Sequence, residues 1–307
     1  MRDRCVELLA PAIEASSHPV IVDGTLGLGG HTEALLQRFE NLTVIGIDRD
    51  EIALERARER LAPFGDRLKT THCIFDQISD VVASFGYSTI NGALFDLGVS
   101  SIQLDETERG FSYSQDAPLD MRMDRSQGVT ASEIVNTYEP GKLVNILRTY
   151  GEEKFATRIV ENIVKARAKA PLNSTIELAT LVKESIPAAT RRTGGNPAKR
   201  TFQALRIEAN DELGAISRAL PDALELLMVG GRLVVMSFQS LEDRIVKEIF
   251  TEASTSKSPR NLPVELPEYA AKFSLVFRSS QTPSEEELTA NPRSASVRLR
   301  AIEKLAS

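Results

Sequence analysis

The sequence predicts an α/β fold, in which a mainly parallel sheet flanked by helices holds a ligand at the carboxyl ends of its strands. Three observations lead to this expectation. Short apolar runs alternate with amphipathic helical segments in the first third of the chain, several of these runs end in an acidic residue, and a glycine-rich turn follows the first run. Such alternation is typical of strand–helix–strand units.

Composition and charge narrow the class of protein. The chain has 307 residues, of which 42% are hydrophobic, so there is room for two domains. Two cysteines and three histidines show no metal-ligand spacing and no disulfide framework, so we expect no metal and a reducing cytoplasm. No apolar run approaches the length of a membrane span or a signal peptide core. The net charge of -6 argues against indiscriminate coating of nucleic acid.

The stretch 20–32, VIVDGTLGLGGHT, predicts a strand that ends at Asp23, a tight turn, and a helix over about 33–39. Glycine tolerates a positive φ and lets a ligand approach the backbone. The third glycine of the dinucleotide fingerprint is missing, whereas clustered glycines after an acidic strand end suit a nucleoside with a charged amino-acid tail, such as S-adenosylmethionine. A plain turn without a ligand is the alternative. The candidate contacts in this stretch are Asp23, Gly27, Gly29 and Gly30.

The next three apolar runs place further candidates at strand ends. Asp48 follows the second run about 20 residues past the turn, where a carboxylate meets ribose hydroxyls in related folds. Phe75 ends the third run and offers a ring for adenine to stack on, although a simple core role is equally compatible. Asp96 ends the fourth run. These strands are predicted over 42–47, 69–75 and 90–95, with helices over 6–13 and 52–61.

Strand–helix alternation stops after Leu104, and residues 105–213 are predicted to form an inserted helical domain. A polar irregular stretch covers 105–125, helices are predicted over 153–170 and 176–186, and one further helix carries apolar residues from Phe202 to Leu220. Residues 150–210 hold 11 lysines and arginines against 6 aspartates and glutamates. This local excess of positive charge suggests an anionic partner. A solvated helical surface is the alternative.

The sheet resumes in the last part of the chain, so that residues 1–104 and 214–307 together form the ligand-binding domain. Gly230 and Gly231 are predicted to turn the chain into a fifth strand over 232–238, and a helix follows over 241–250. Two final strands are predicted over 273–277 and 296–302. A sheet that ends in such a pair is typical of class I S-adenosylmethionine-dependent methyltransferases, whereas a nicotinamide dehydrogenase would more often repeat its first half.

Eight ordered blocks carry a resemblance to a known family: VDGTLGLGGHT, GIDRD, LFDLGVSSIQLD, ERGFS, LDMRMD, RTFQALRIEANDEL, GGRLVVMSF and SLEDRIVK. They closely resemble the family of small-subunit ribosomal RNA methyltransferase H, also called MraW. The resemblance implies methylation of the exocyclic N4 of a cytosine in the decoding centre of 16S rRNA, in the small ribosomal subunit, with S-adenosylmethionine as the methyl donor. The implied cofactor contacts are Gly29, Gly30, His31, Asp48, Phe75, Asp96 and Gln103. Of these, His31 and Gln103 come from the resemblance alone.

Two stretches depart from the family pattern. Similar sequences usually read SFHSLEDR where this chain has Gln239, which argues against a proton-transfer role at that position. The loop that usually reads HPATRTFQALR is NPAKRTFQALR here, which adds positive charge around Lys199.

Amine methylation needs an acceptor for an amine proton, and Asp96 is the catalytic candidate. The alternative is that Asp96 only contacts the cofactor. Attack at carbon 5 of cytosine would need a cysteine near the fourth strand, and neither Cys5 nor Cys73 is placed there. The candidate RNA contacts are Arg191, Arg192, Lys199, Arg200 and Arg206. A noncatalytic RNA-binding assembly factor that retains a nucleoside pocket is the competing hypothesis.

Overall fold

The computed structural model describes residues 1–100, 103, 105–188, 196–259 and 269–306. They form two compact units. The first combines Met1–Gly98 with Leu213–Ser307, and the second is Val99–Glu212. The helices are α1 (Arg2–Glu14), α2 (Gly30–Arg38), α3 (Glu51–Leu61), α4 (Ile78–Ser84), α5 (Ala131–Thr137), α6 (Pro140–Thr149), α7 (Ala156–Arg167), α8 (Thr175–Ser185), α9 (Lys199–Asn210), α10 (Glu212–Leu226), α11 (Ser240–Ala253) and α12 (Glu285–Ala290).

The first unit contains a seven-stranded sheet. Its strands are β1 (Val20–Asp23), β2 (Thr43–Asp48), β3 (Leu68–His72), β4 (Ile90–Asp96), β5 (Leu227–Ser237), β6 (Phe273–Leu275) and β7 (Arg298–Lys304). Their order is β3-β2-β1-β4-β5-β7-β6. The first five strands run parallel, whereas β7 is antiparallel to β5 and to β6. This arrangement confirms the predicted α/β fold with an antiparallel pair at its end.

The register brings the carboxyl ends of the parallel strands to one edge of the sheet. Asp23 pairs with Gly46 of β2 and with Leu94 of β4, and Asp96 lies opposite Met236 of β5. Strand β4 is buried along nearly its whole length because helices cover both faces of the sheet. This double burial explains why its sequence is a continuous apolar run rather than an alternating one.

Two sequence-based boundaries need correction. Strand β3 ends at His72 rather than at residue 75, and Phe75 begins a single 3₁₀ turn. The helix expected to continue from Phe202 to Leu220 is two helices, because Asp211 between α9 and α10 has a φ of 48°. A break of one residue leaves the apolar spacing on either side nearly intact, so periodicity did not reveal it.

Gly230 and Gly231 lie inside β5 instead of forming a turn before it. The pairing of β5 with β4 shifts its register between Ile90 and Gly92. A Cβ on Gly231 would lie 2.8 Å from the carbonyl oxygen of Met228, and Gly230 has a φ of 81°. The two glycines therefore accommodate an irregularity within a continuous strand, which the sequence alone made look like a turn.

The second unit is helical around one apolar core. Residues from α5 to α9 line this core, among them Ile134, Leu147, Ile159, Leu178 and Phe202. Helices α5 and α8 begin with side-chain caps from Thr130 and Ser174. The idea that this unit is an inserted domain that recognises substrate stays a prediction. In neither unit does a described helix have the length and apolar composition needed to cross a membrane.

Candidate active site

The glycine-rich turn joins β1 to α2 and depends on glycine at defined positions. Gly27 has a φ of 51° and Gly29, at the N-cap of α2, has a φ of 76°. A Cβ on Gly29 would lie 2.7 Å from Cδ1 of Leu61 in α3. A Cβ on Gly30 would meet no atom within 4 Å. The turn is therefore tightly packed against α3 at Gly29 and open at Gly30, where a ligand has room to approach the backbone.

Asp23 lies beneath this turn and shapes it. Its Oδ1 accepts a hydrogen bond from the Thr25 amide at 3.3 Å, and its Oδ2 accepts one from the Thr32 hydroxyl at 2.7 Å. The residue is only 1% exposed. Both of its oxygens therefore support the turn, and the expectation that Asp23 also contacts the cofactor stays a prediction.

Asp48 ties the end of β2 to the same turn. Its Oδ2 accepts a hydrogen bond from the Gly27 amide at 2.6 Å, and its Oδ1 accepts one from the Asp50 amide at 2.8 Å. Asp48 is partly exposed. Each carboxylate oxygen has two acceptor sites, so one site per oxygen remains for the hydroxyls of a ribose.

Asp96 and His31 face each other at the tip of β4. The Asp96 amide donates a hydrogen bond to Thr25 Oγ1 at 2.6 Å, and Asp96 Oδ2 lies 3.9 Å from His31 Nδ1. The buried atoms Asp96 Oδ1 and His31 Nε2 have no hydrogen-bond partner among the described residues. Burial lowers the pKa of His31 to about 4, so its ring is neutral at pH 7. Two unused polar atoms at one strand tip indicate a place for a polar ligand.

Three carboxyl groups at this edge hold their protons more tightly than usual. Burial raises the pKa of Asp23 and of Asp48 to about 6. Burial, followed by repulsion from Asp23 and Glu242, raises the pKa of Asp96 to about 7. A nearby cation would favour the ionised carboxylates. The site is therefore electrostatically suited to a positively charged ligand, and the sulfonium of S-adenosylmethionine carries such a charge.

Phe75 and Gln103, the two remaining candidate cofactor contacts, belong to different units and differ in burial. The Phe75 ring packs edge-on against Phe95, with centroids 5.5 Å apart, and is only partly buried, so one part of the ring serves the core and the rest is open to stacking. Gln103 belongs to the second unit, where it is buried and its Oε1 accepts a hydrogen bond from the Ser100 amide at 3.0 Å. The first unit thus brings together every predicted cofactor contact except Gln103.

Residues 1–305 match the model of the MraW methylase family. The chain belongs to this family. It is 56% identical to the ribosomal RNA small subunit methyltransferase H of Thermobifida fusca, over 99% of this chain and 92% of that protein. It is 54% identical to the protein of the same name from Renibacterium salmoninarum, over 99% of this chain and 93% of that protein. Among solved structures, an rRNA methylase from Streptococcus thermophilus aligns at 13% identity and a TM-score of 0.44, over 98% of this chain and 95% of that one.

Membership in the MraW methylase family confirms the predicted enzyme class, a methyltransferase that uses S-adenosylmethionine. The residues at the sheet edge fit that cofactor. They combine a glycine turn that is open at Gly30 with a carboxylate at Asp48 that has free acceptor sites. They also include the carboxyl group of Asp96, whose ionised form a cation would stabilise. The roles of the individual residues stay predictions that rest on this geometry.

Sequence reasoning missed two residues that shape the site of this MraW methylase. Thr25 joins the turn to β4 through the Asp96 amide. Glu242, 1% exposed in the first turn of α11, accepts hydrogen bonds from the amides of Phe238 at 2.8 Å and Gln239 at 3.1 Å. The sequence contained a signal for each of them: Thr25 is a threonine within the glycine turn, and Glu242 lies at the third position of a helix, where a glutamate commonly accepts hydrogen bonds from backbone amides. Gln239 Nε2 donates to Glu242 Oε1 at 3.2 Å, so its amide supports the start of α11.

Replacing Asp48 by alanine is expected to weaken S-adenosylmethionine binding by about 1 to 3 kcal/mol, because ribose hydroxyls and two backbone amides lose their acceptor. Isothermal titration measures the change. Asp48→Asn keeps one acceptor oxygen and should fall between the parent and the alanine variant. Asp80→Ala, which removes an exposed carboxylate from α4, is the control for net charge. Equal affinity for Asp48→Ala and the parent would remove Asp48 from the cofactor site.

Proposed function

We propose that this MraW methylase transfers a methyl group from S-adenosylmethionine to the exocyclic N4 of a cytosine in the decoding centre of 16S rRNA. The family match over residues 1–305 carries the proposal, because its relatives are named as methyltransferases of small-subunit ribosomal RNA. The substrate partner is then the small ribosomal subunit or its rRNA. We expect the enzyme to act in the cytoplasm, where its substrate would be assembled.

Residues of the first unit would hold the cofactor, which supplies an activated methyl group when bound. Asp48 would accept hydrogen bonds from the ribose, and the exposed part of the Phe75 ring would stack on adenine. Gly29, Gly30 and His31 would line the path of the amino-acid tail. The contact of Gln103 stays a prediction from the resemblance to the family. These assignments agree with the open backbone at Gly30 and with the positive φ of Gly29.

Asp96 would act on the amine of the target base. The lone pair of this amine is delocalised into the cytosine ring, so an acceptor for one N–H makes the nitrogen more nucleophilic. As the nitrogen bonds to the methyl carbon it must lose a proton, and the Asp96 carboxylate would accept it. A pKa of about 7 suits this task, because such a group is ionised often enough to act and basic enough to take a proton. The neutral His31 leaves the carboxylate unpaired.

RNA contact is proposed for Lys199 and Arg200, which are exposed at the start of α9. The guanidinium of Arg206 donates to both oxygens of Glu212, at 2.8 and 2.9 Å, and both side chains are largely buried, so an RNA contact of Arg206 would require it to leave this ion pair and stays a prediction. Arg191 and Arg192 lie outside the described residues, so their proposed contacts stay sequence-based predictions.

The decisive experiment maps modified cytosines in rRNA from cells that lack this protein and from cells in which it is restored. One N4-methylated cytosine of 16S rRNA should disappear in the first case and return in the second. An unchanged set of cytosine modifications would overturn the proposal. With purified protein, binding to small subunits without transfer of labelled methyl would favour the noncatalytic assembly factor.

A further inference from the structure

In the second unit, the connection between α6 and α7 packs against the start of α9. Arg200 Nη1 donates a hydrogen bond to the Glu152 carbonyl at 3.2 Å, and Gln203 Nε2 donates one to the Tyr150 carbonyl at 2.9 Å. Gly151 lies so close that a Cβ there would be 2.6 Å from the Arg200 carbonyl oxygen. These contacts bring two stretches of chain, about fifty residues apart in sequence, to one place on the surface.

Five exposed cationic residues lie on these two stretches and on the adjoining turns of α6 and α7, and we call them the basic surface: Arg148, Lys154, Arg158, Lys199 and Arg200. Arg148 is joined to the neighbourhood of Arg158 by a hydrogen bond of 2.9 Å from its Nη2 to Thr157 Oγ1. Within the part of the chain that the structure describes, none of the five forms an ion pair. Two exposed carboxylates, Glu152 and Glu161, lie close to these five cations in sequence, whereas Glu153 is buried and its Oε1 accepts a hydrogen bond from the Phe155 amide at 2.8 Å. The local balance of exposed charge therefore stays positive.

Several other cations of the same unit are paired with carboxylates. Their described ion pairs are Arg122 with Asp120 at 2.8 Å, Lys142 with Glu208 at 3.2 Å, and Arg206 with Glu212 at 2.8 Å. Exposed lysines elsewhere in this unit, such as Lys165, Lys169 and Lys183, also form no ion pair among the described residues, so the basic surface differs from them in grouping five cations around two stretches that are in contact. Exposed like charges in one place repel each other, and an external anion relieves that repulsion.

The helix ends at the basic surface reinforce its positive potential. Phe155 and Ala198 occupy the N-caps of α7 and α9, neither side chain can accept a hydrogen bond, and neither helix has an acidic residue in its first turn. Helix α5 begins instead with a Thr130 cap and Glu133. A helix N-terminus carries partial positive charge, so arginines and lysines there are favourable only if an anion lies nearby.

We propose that the basic surface binds backbone phosphates of the RNA substrate. This inference rests on the proposed function for the identity of the partner, and it adds Arg148, Lys154 and Arg158 to the residues expected to touch RNA. Contacts of this kind position a nucleic acid without reading its sequence. They also release counterions, so they make binding depend steeply on salt concentration.

The test compares two triple variants with the parent enzyme. Arg148→Gln, Lys154→Gln and Arg158→Gln combined should lower affinity for small ribosomal subunits at least about tenfold at low salt and reduce the slope of log Kd against log salt by about 2 to 3. The matched control combines Arg58→Gln, Lys183→Gln and Lys247→Gln, which removes the same charge from exposed positions. Arg58 donates to Thr70 Oγ1 at 2.8 Å, much as Arg148 donates to Thr157. The control should keep the parent slope.

A third variant separates charge from side-chain identity. Arg148→Lys, Lys154→Arg and Arg158→Lys combined retain all three charges and should keep the parent slope. If the neutral variant at the basic surface has the same affinity and slope as the control, the surface does not bind RNA. Binding is measured independently of methyl transfer, so that result leaves the proposed function standing. A parent enzyme that methylates no small-subunit rRNA would instead overturn the proposed function.

Discussion

Replacing Asp96 by asparagine should lower the rate constant of methyl transfer about 100-fold to 10,000-fold, because the amide cannot accept the proton that the target amine loses. The substitution preserves the size of the side chain, and the Asp96 backbone amide keeps its bond to Thr25 Oγ1. The rate is measured in a single turnover with labelled S-adenosylmethionine at saturating concentration and purified small subunits. Titration of the cofactor separates a slower reaction from weaker binding.

The same residue predicts the pH dependence of the reaction. The pKa of Asp96 is raised to about 7 by burial in the cofactor-free protein, and a bound sulfonium should lower it. Because only the ionised form accepts a proton, the rate of the parent with bound cofactor should rise as the pH increases towards 7 and then level off. Asp96→Asn should lack this rise, whereas Asp80→Asn, at an exposed position on α4, should keep it. A parent-like rate and profile in Asp96→Asn would show that another group accepts the proton.

Replacing Gly29 by valine should weaken S-adenosylmethionine binding more than about 100-fold. The backbone φ of 76° is unfavourable for a β-branched residue, and a Cβ would lie 2.7 Å from Cδ1 of Leu61. Relief of this overlap must displace the turn from α3, and the turn carries the Gly27 amide that Asp48 binds. Strain of this kind costs about 1 to 3 kcal/mol of the free energy of unfolding. Isothermal titration and denaturant unfolding measure the two effects.

Two other glycines supply controls for this experiment. Gly65 has a φ of 55° and nothing within 4 Å of a Cβ, so Gly65→Val should lower stability without changing cofactor affinity. Gly30→Ala meets no protein atom within 4 Å, so it should leave the free energy of unfolding within about 0.5 kcal/mol while reducing affinity. If Gly29→Val binds the cofactor as the parent does, the glycine turn is not part of the cofactor site.

Strand ends were the part of the site that the sequence located well. Asp48 and Asp96 each follow an apolar run, and the carboxyl ends of parallel strands meet at one edge of a sheet, so local pattern was enough to group them. Phe75 was placed correctly beside this edge, although its strand ends three residues earlier than expected. The sequence did not show that Asp23 accepts hydrogen bonds from Thr25 and Thr32, because those bonds exist only in the folded turn.

The sequence by itself determined the order of the seven strands along the chain, the closing antiparallel pair and the family, because these follow from apolar periodicity and from motifs that lie along the chain. Only the tertiary structure decided that Arg206 is paired with Glu212, that Gly231 lies against a neighbouring carbonyl, and that the basic surface joins the α6–α7 connection to α9. The physical reason is the same in each case. Pairing, close approach and convergence of charge depend on distances between atoms, and spacing along a sequence does not specify them.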